Sequence, residues 1–276
     1  MTLHSIELTL KAGQRDRRYW RDLWRYRELF YFLAWRDLLV RYKQTAIGIA
    51  WAVIRPFVTM IVFSVVFGYL AKLPSNGVPY PILVFSAILP WQLFANALSE
   101  CSQSLISNAN LISKVYFPRL IVPASAIIVS LVDFFMAGMI LLALMAWYSF
   151  LPSWHIVTLP CFVLLALLTS TGAGLWLATL SVKYRDFRVV VPFIIQFGLY
   201  ISPVGFSSII VPAEWRWLYS LNPMVSVIDG FRWAILGQST ELYLPGFFLS
   251  SLLAVLVFVS GVHFFRRYER TFADVI

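Results

Sequence analysis

The sequence has few charged residues. Asp, Glu, Lys and Arg make up 13% of its 276 residues, whereas 60% are hydrophobic and the mean hydropathy is +0.78. Soluble domains are about 45–50% apolar, so this composition excludes an ordinary soluble domain. The apolar residues gather in blocks of about twenty, the length of helix that crosses a ~30 Å hydrocarbon layer. Only helices satisfy the backbone of an open chain in lipid, so the predicted fold class is an all-α integral membrane protein.

Residues that most chemistry requires are also scarce. No glycine-rich loop ends in Gly-Lys-Ser or Gly-Lys-Thr, so no nucleotide-phosphate site is predicted. His4, His155 and His263 are too far apart to share a metal, and no set of nucleophiles and acids converges. Cys101 and Cys161 are predicted near opposite membrane faces, which excludes a disulfide between them. We therefore expect no catalytic residue, no metal and no cofactor on this chain; if ATP is the fuel, ATP and Mg bind a separate ATPase.

Ionisable residues are nearly absent from the apolar blocks, and Asp133 is the clear exception. Ion-coupled carriers usually place such residues inside the membrane. Asp133 is either a structural polar contact to a neighbouring helix or a residue of a transport pathway. One carboxylate with no basic partner in a span is weak support for ion coupling.

The apolar blocks predict six membrane spans. They are Ile49–Leu70, Ile82–Ser99, Ile121–Phe150, Ile156–Ser181, Val189–Phe206 and Phe247–Phe265. Residues 49–265 then form one transmembrane domain, between a cytoplasmic N-terminus (1–48) and a cytoplasmic tail (266–276).

Basic residues determine the predicted orientation. With the N-terminus in the cytoplasm, 19 of the 22 Lys and Arg residues lie on the inner side, and only Lys72, Arg216 and Arg232 lie outside. Both termini are therefore expected in the cytoplasm. The basic N-terminus leads into a span, which favours membrane lipids with anionic headgroups over nucleic acid as its partner.

Three segments outside the spans have unusual patterns. Residues 18–44 alternate basic and large apolar residues, which predicts an N-terminal amphipathic helix at the inner interface; the alternative is a simple positive anchor. The outer segment 207–246 is too apolar for a free loop, so it is predicted as a re-entrant helical hairpin or a cap on the membrane. Loop 101–120 is apolar enough to dock in a groove of a partner or to pack on the protein's own interface helix.

Two side-chain arrangements follow from helical spacing. Asp229 and Arg232 are three residues apart, so they share a helix face and are expected to form an ion pair. The small residues Ser170, Gly172 and Gly174 predict close packing of helix on helix, within a subunit or across a dimer.

Several stretches resemble the permease subunit of polysaccharide-exporting ABC transporters, the Wzm/TagG-like group of the ABC-2 type. They are RDLLVRYKQT at 36–45, WAVIRP at 51–56, NLISKVYFPR at 110–119, KYRD at 183–186, Ser202-Pro203, LNP at 221–223 and DGFR at 229–232. They occur in the family's order, on a six-span layout.

The resemblance implies a homodimer of this chain in the cell inner (plasma) membrane, with two copies of a separate ABC ATPase. It implies export of a lipid-linked polysaccharide, with O-antigen as the first candidate and capsule or teichoic acid as alternatives. An ion-coupled carrier and a membrane glycosyl- or acyltransferase are further alternatives from other classes.

The resemblance and the apolar pattern together assign candidate roles to three sets of residues. The residues expected to couple to the ATPase are Leu111, Ile112, Lys114, Tyr116, Phe117, Arg119, Tyr184, Arg185 and Asp186. The residues expected at an outer gate are Pro203, Asn222, Pro223, Asp229 and Arg232. Aromatic and amide side chains that could make weak contacts with a moving sugar chain are Trp51, Trp91, Phe94, Gln196, Phe197 and Tyr200.

Overall fold

The computed structural model describes residues 19–43, 49–75, 77–237 and 242–272. Within these ranges every regular element is a helix and no strand occurs. The α-helices are α1 (Tyr19–Arg25), α2 (Arg27–Lys43), α3 (Ile49–Phe63), α4 (Tyr80–Ser107), α5 (Ala109–Lys114), α6 (Ile121–Trp147), α7 (Leu159–Lys183), α8 (Phe187–Ile201), α9 (Arg216–Tyr219), α10 (Pro223–Leu236) and α11 (Leu244–Tyr268). A π-helical segment, Ser64–Leu70, continues α3, and short 3-10 turns are Trp154–Thr158, Ser208–Ile210, Ala213–Trp215 and Glu269–Thr271. The all-α prediction is confirmed.

Parts of the predicted segments lie outside the described residues. They are 1–18 and 44–48 of the N-terminus, residue 76, 238–241 of the outer segment, and 273–276 of the tail.

Within the described ranges, five helices are long and apolar enough to cross a membrane. They are Ala50–Leu70, Tyr80–Ser107, Ile121–Trp147, Trp154–Lys183 and Leu244–Thr271, which correspond to five of the six predicted spans. The remaining predicted span, Val189–Phe206, is represented by α8, which has only 15 residues. At 1.5 Å per residue α8 is about 22 Å long, less than the ~30 Å hydrocarbon thickness.

A proline explains why α8 is shorter than its apolar block. The residue before a proline is pushed from the α region towards extended backbone. Ser202, which precedes Pro203, has φ −82° and ψ 152° and ends α8. The hydropathy of the block continues to Phe206, but the helix does not.

The central helix of the bundle is α4, which packs against α3, α6, α7, α8 and α10. Of its most apolar 18 residues 83% are buried, compared with 11% for the α3 span and 17% for the α11 span. A helix that is apolar on all sides is typically surrounded by protein. The bundle is therefore built around α4, while α3 and α11 present much of their surface outward.

The helices α4, α7 and α11 run parallel to one another. Near α10, Arg232 bonds to Leu83 of α4, and Phe162 of α7 lies against Phe231 and Phe247. At the other end, Gly174 of α7 lies against Cys101 of α4, and Gly172 lies against Gly261 of α11. We call the end where these three helices finish the basal end. Successive membrane spans cross in opposite directions, so the second, fourth and sixth predicted spans should be parallel, as α4, α7 and α11 are.

A second apolar core closes the basal end. It joins α1, α2, α5, the start of α6 and the residues that follow α11. Its fully or nearly fully buried members include Leu33, Cys101, Leu105, Ile112, Phe117, Phe265 and Phe272. The aromatic residues Trp20, Trp24, Tyr31, Phe32 and Trp35 of α1 and α2 remain exposed. Their position relative to a bilayer stays a prediction.

The small residues of α7 pack helix on helix within the subunit. A Cβ at Gly172 would lie 2.5 Å from Cα of Phe258 in α11, and one at Gly174 would lie 2.7 Å from Sγ of Cys101. Neither contact can relax easily, because the Phe258 atom is backbone and Cys101 is completely buried. The sequence left open whether these residues pack within or between subunits, and both contacts are internal.

We expect Gly172→Ala to destabilise the protein by ~1–3 kcal/mol, because overpacking forces α7 and α11 apart. Gly138→Ala is the matched control, since a Cβ there meets nothing within 4 Å. Thermal unfolding of the purified protein in detergent measures both. Equal melting temperatures for the two variants would contradict the close α7–α11 contact.

Candidate functional site

The backbone after α8 is irregular, and side chains from three other elements hold it. The Tyr219 hydroxyl donates to the carbonyl of Ile201 at 2.8 Å, and the Tyr80 hydroxyl donates to the carbonyl of Gly205 at 2.9 Å. Arg232 donates to the carbonyls of Val204 and Phe206 at 3.0 and 2.7 Å. Irregular backbone at membrane depth is tolerated only where its polar groups find partners. We call residues 201–206 the α8 turn.

Arg232 is the most constrained side chain of this region. It is 1% exposed, and besides its two bonds to the α8 turn its Nε donates to the carbonyl of Leu83 in α4 at 3.3 Å. One guanidinium therefore ties α10 to α4 and to the α8 turn. A buried charge that receives several well-placed acceptors avoids the penalty of an unpaired ion.

The expected ion pair between Asp229 and Arg232 is wrong. No nitrogen of Arg232 lies within 4 Å of an Asp229 carboxylate oxygen in the described structure. The Asp229 carboxylate instead accepts a hydrogen bond from the Ser208 hydroxyl at 2.8 Å. Helical spacing placed both residues on one helix, but the carbonyls of α4 and the α8 turn lie closer to the guanidinium than the carboxylate does.

The other predicted outer residues lie beside the α8 turn. The Asn222 side chain accepts from the backbone N–H of Met224 at 3.0 Å, which caps α10, and donates to Ser202 Oγ at 3.0 Å. Pro223 occupies the first position of α10, where its missing N–H is not needed. Pro203 is buried in the turn itself. The structure thus brings Pro203, Asn222, Pro223 and Arg232 together, although the first predicted hairpin helix is reduced to 3-10 turns and the four residues of α9.

A polar cavity of about 460 Å³ lies between α2, α3, α4 and α6. Part of its wall is a row of polar residues on one face of α4, three or four positions apart or adjacent: Gln92, Asn96, Ser99 and Glu100. Trp51 and Arg55 of α3 form the opposite wall. Amides, carboxylates and guanidinium groups supply both donors and acceptors, and the Trp51 ring supplies an apolar face. This combination suits water or a hydroxyl-rich ligand.

Arg41 of α2 links two spans at one edge of this cavity. Its guanidinium lies 2.6 Å from Glu100 Oε1 of α4 and 2.6 Å from Asp133 Oδ2 of α6. The Tyr42 hydroxyl donates to the other Asp133 oxygen. A second contact of α2, from Arg36 to the Asn108 side chain at 2.6 Å, lies nearer the basal end.

Asp133 has no ion-pair partner in a described span, as the sequence indicates, but it does have a basic partner outside the spans. The partner comes from the N-terminal helix rather than from another span, and sequence spacing gives no signal of that approach. The structural interpretation of Asp133, as a polar contact to a neighbouring helix, agrees with its bonds to Arg41 and Tyr42. Among the described residues no group of three or more His, Cys, Asp or Glu side chains could hold a metal ion.

The residues predicted to contact a moving sugar chain fall into three groups in one copy of the chain. Trp51 lines the cavity. Trp91 and Phe94 of α4 are buried core residues, with ring centroids 5.3 Å apart and Trp91 packed on Gly198. The other three, Gln196, Phe197 and Tyr200, lie on the exposed side of α8. No single surface of one copy includes all six.

The predicted coupling residues lie at the basal end but differ in exposure. Ile112 and Phe117 are buried in the basal core together with Leu33 of α2. Of the two predicted alternatives, these two residues therefore follow the second, packing on the protein's own N-terminal helix. Residues that remain exposed are Lys114, Tyr116, Tyr184, Arg185 and Asp186. Leu111 and Arg119 are partly buried. The α5 region and the turn after α7 thus present polar and aromatic groups at one end of the bundle.

Comparison with known proteins identifies the family. Residues 28–236, from the start of α2 to the end of α10, match the family described as ABC-2 type transporter. The chain belongs to the ABC-2 type transporter family. The resemblance found in the sequence motifs is confirmed.

Three relatives cover between 73% and 93% of this chain. An O-antigen export system permease protein from Myxococcus xanthus is 27% identical over 258 residues, which is 93% of this chain and 98% of that protein. A protein of the same description from Klebsiella pneumoniae is 24% identical, over 87% of this chain and 92% of its own. The polysialic acid transport protein KpsM of Escherichia coli is 22% identical, over 73% of this chain and 78% of its own. The chain is therefore similar to O-antigen export permeases and to a polysialic acid transport protein.

Because Arg232 bonds to carbonyls rather than to Asp229, most of its contribution to stability is expected not to depend on the Asp229 charge. Arg232→Ala should destabilise the protein by about 3 kcal/mol or more, since the carbonyls of Val204 and Phe206 lose their donor and that of Leu83 loses one of its donors. Asp229→Asn should change stability by less than about 1 kcal/mol, because an amide oxygen still accepts from Ser208. Thermal unfolding in detergent is the measurement.

The double variant Arg232→Ala/Asp229→Asn distinguishes the two arrangements. The two residues are three positions apart on α10, so some electrostatic coupling remains, but without an ion pair the double variant should be about as unstable as Arg232→Ala. A double variant clearly more stable than Arg232→Ala alone would show that the two charges interact directly.

Proposed function

We propose that this chain is the channel-forming membrane subunit of an ATP-driven exporter that moves a lipid-linked polysaccharide, with O-antigen as its substrate, across the inner membrane. The observation that carries the proposal is the end-to-end match with O-antigen export permeases, which covers 93% of this chain and 98% of the Myxococcus relative. Capsular polysaccharide is the second candidate, because the KpsM relative is named as a polysialic acid transport protein.

ATP and Mg are proposed to bind a separate ATPase, present in two copies for each pair of permease chains. The exposed residues at the basal end, among them Tyr116 and Tyr184, supply the surface on which it docks. The basal end is then cytoplasmic, in agreement with the predicted orientation from basic residues.

Six crossings remain the proposed topology, with both termini in the cytoplasm. The short helix α8 supports this because the α8 turn lies beside Tyr80 and Leu83 at the start of α4, at the end of the bundle opposite the basal end. The four donors Tyr80, Tyr219, Asn222 and Arg232 satisfy the turn's polar groups, which a lipid environment requires. The turn and α10 then form the outer part of the conduit, as a gate.

The polar cavity is proposed as the inner part of the path for sugar residues. A conduit for a long polymer must bind weakly at many points, so that the chain can leave each one. The row of Gln92, Asn96 and Ser99 offers exchangeable hydrogen bonds, and Trp51 offers a stacking face. Asp133 is held by Arg41 and Tyr42, an arrangement that favours a structural role over proton transport.

Inside-out membrane vesicles that contain this chain and its ATPase test the proposal. ATP should protect externally added lipid-linked glycan from a glycosidase in the medium, because export carries the glycan into the lumen. Vesicles without ATP, or with a non-hydrolysable analogue, should give no protection. Protection driven by an ion gradient without ATP would contradict the proposal.

The cavity can be tested in the same vesicles with Asn96→Leu. The substitution removes the amide in the middle of the polar row, so the rate of export should fall several-fold while the ATPase remains bound. Val255→Leu, on the exposed side of α11, is the control and should export normally.

Docking of the ATPase is expected to depend on Tyr116, whose side chain is 62% exposed. Tyr116→Asp should prevent co-purification of the ATPase while the permease still folds, because a carboxylate replaces an aromatic contact. Phe117 is unsuitable for this test, since it is buried and its replacement by Asp would disturb the basal core. Tyr148→Asp, an exposed tyrosine at the opposite end of α6, is the control. An intact complex with Tyr116→Asp would contradict the docking assignment.

A further inference from the structure

The two ends of the described chain meet at the loop that precedes α6. Glu269 lies in the 3-10 turn that follows α11. One oxygen of its carboxylate, Oε1, accepts a hydrogen bond from the Tyr19 hydroxyl of α1 at 3.1 Å and from the backbone N–H of Arg119 at 3.0 Å. A single carboxylate oxygen thus connects the first helix, the last helix and the loop between α5 and α6.

The contact with the loop is reciprocal. The Arg119 guanidinium donates to the backbone carbonyl of Glu269, while the Glu269 side chain accepts from the backbone N–H of Arg119. Each residue therefore fixes the main chain of the other, and not merely its side chain. Hydrogen bonds to an ionised acceptor are about twice as strong as neutral ones.

Buried aromatic residues keep the Glu269 turn in place. Phe272, three residues further on, is 2% exposed and packs edge-on against Phe265 at a ring distance of 5.2 Å. The Arg266 guanidinium lies 4.2 Å from the centre of the Tyr19 ring, which adds a cation–π contact to α1. The carboxylate is consequently held by the basal core on one side and directed at the loop on the other.

The Tyr19 hydroxyl remains a donor at neutral pH. Burial raises the pKa of Tyr19 above its usual value, and the negative charge of Glu269 raises it further. We call the set Tyr19, Arg119, Arg266 and Glu269 the terminal clasp.

The loop that the clasp holds is the last part of segment 101–120, which is proposed to couple to the ATPase and is called the coupling loop below. Residues 115–120 lie between α5 and α6, and Val115 and Tyr116 are exposed at their start. Arg119 lies two residues before the first residue of α6. Any displacement of the loop relative to α11 must break the Glu269 contacts, so an intact clasp makes the loop and the ends of α6 and α11 move together.

We propose that Glu269 is a positioning residue that transmits movement of the ATPase to the membrane helices, by holding the coupling loop to the end of α11. The inference depends on the proposed function, since it assumes that the ATPase docks at the basal end. Without the carboxylate the loop and the start of α6, which follows it in the chain, can move with the ATPase while α11 stays in place. ATP hydrolysis then continues with less export for each ATP.

The experiment measures glycan exported per ATP hydrolysed, in vesicles that contain the permease and its ATPase. Glu269→Ala should lower this ratio about tenfold, with ATPase activity within about twofold of the unmodified complex, because two bonds to a charged acceptor are lost. Glu269→Gln keeps an acceptor oxygen without the charge, so its ratio should be intermediate. Thr271→Ala is the control, since Thr271 is exposed and its hydroxyl bonds only within its own turn.

Arg119→Ala provides an internal comparison. It removes the guanidinium contact with the Glu269 carbonyl but keeps the backbone N–H that the carboxylate binds. Its ratio should therefore lie above that of Glu269→Ala. This order is specific to the proposed contact, because a general charge effect at the basal end would change the two variants in opposite directions, one losing a negative and the other a positive charge.

The outcomes separate this inference from the proposed function. If the unmodified complex shows no ATP-dependent export, the proposed function fails, and the inference fails with it. If the unmodified complex exports and Glu269→Ala keeps its ratio, only the inference is overturned. A parallel fall of ATPase activity and export, with an unchanged ratio, also overturns it. If Glu269→Ala does not fold, an unchanged ratio in the near-isosteric Glu269→Gln overturns it.

Discussion

Pairing of backbone carbonyls inside the bundle is the constraint on which the arrangement around α10 depends. The α8 turn leaves several carbonyls outside any helix, and each carbonyl left unpaired at membrane depth would lower the stability of the fold. The buried Arg232 donates to two of these carbonyls, and Tyr80 and Tyr219 donate to one each. Because Arg232 also bonds to Leu83, the turn can change only if α4 or α10 changes as well. A gate built on this turn would therefore move as a unit with α10.

Three charged side chains each connect helices or loops that are far apart in the sequence. Arg232 joins α10, α4 and the α8 turn, Arg41 joins α2, α4 and α6, and Glu269 joins α1, α11 and the loop before α6. Each has two or more partners on different elements, as a buried or partly buried ion requires. The chain has few charges, and several of them connect elements that are distant in sequence.

Hydropathy and motifs predicted much of the fold but few of its contacts. Five of the six apolar blocks became long helices because length and composition alone determine them. The end of α8 could have been predicted from Pro203, which acts locally. By contrast, the partner of Asp133 and the acceptors of Arg232 come from distant parts of the chain, and neither helical spacing nor composition indicates which backbone lies nearby. The same holds for Ile112 and Phe117, whose apolar pattern fits a docking surface and a core equally well.

The exposed side of α8 supports the proposal that the conduit forms between two copies of the chain. Gln196 lies there among Phe193, Phe197 and Tyr200, all of them exposed. An amide side chain that faces lipid lacks hydrogen-bond partners, so polar residues inside membranes usually face protein or a water-filled space. Among the described residues no element covers this side of α8, and the polar cavity is lined by α2, α3, α4 and α6 instead. A second copy placed against α8 would give Gln196 the protein or water-filled surroundings that its amide requires.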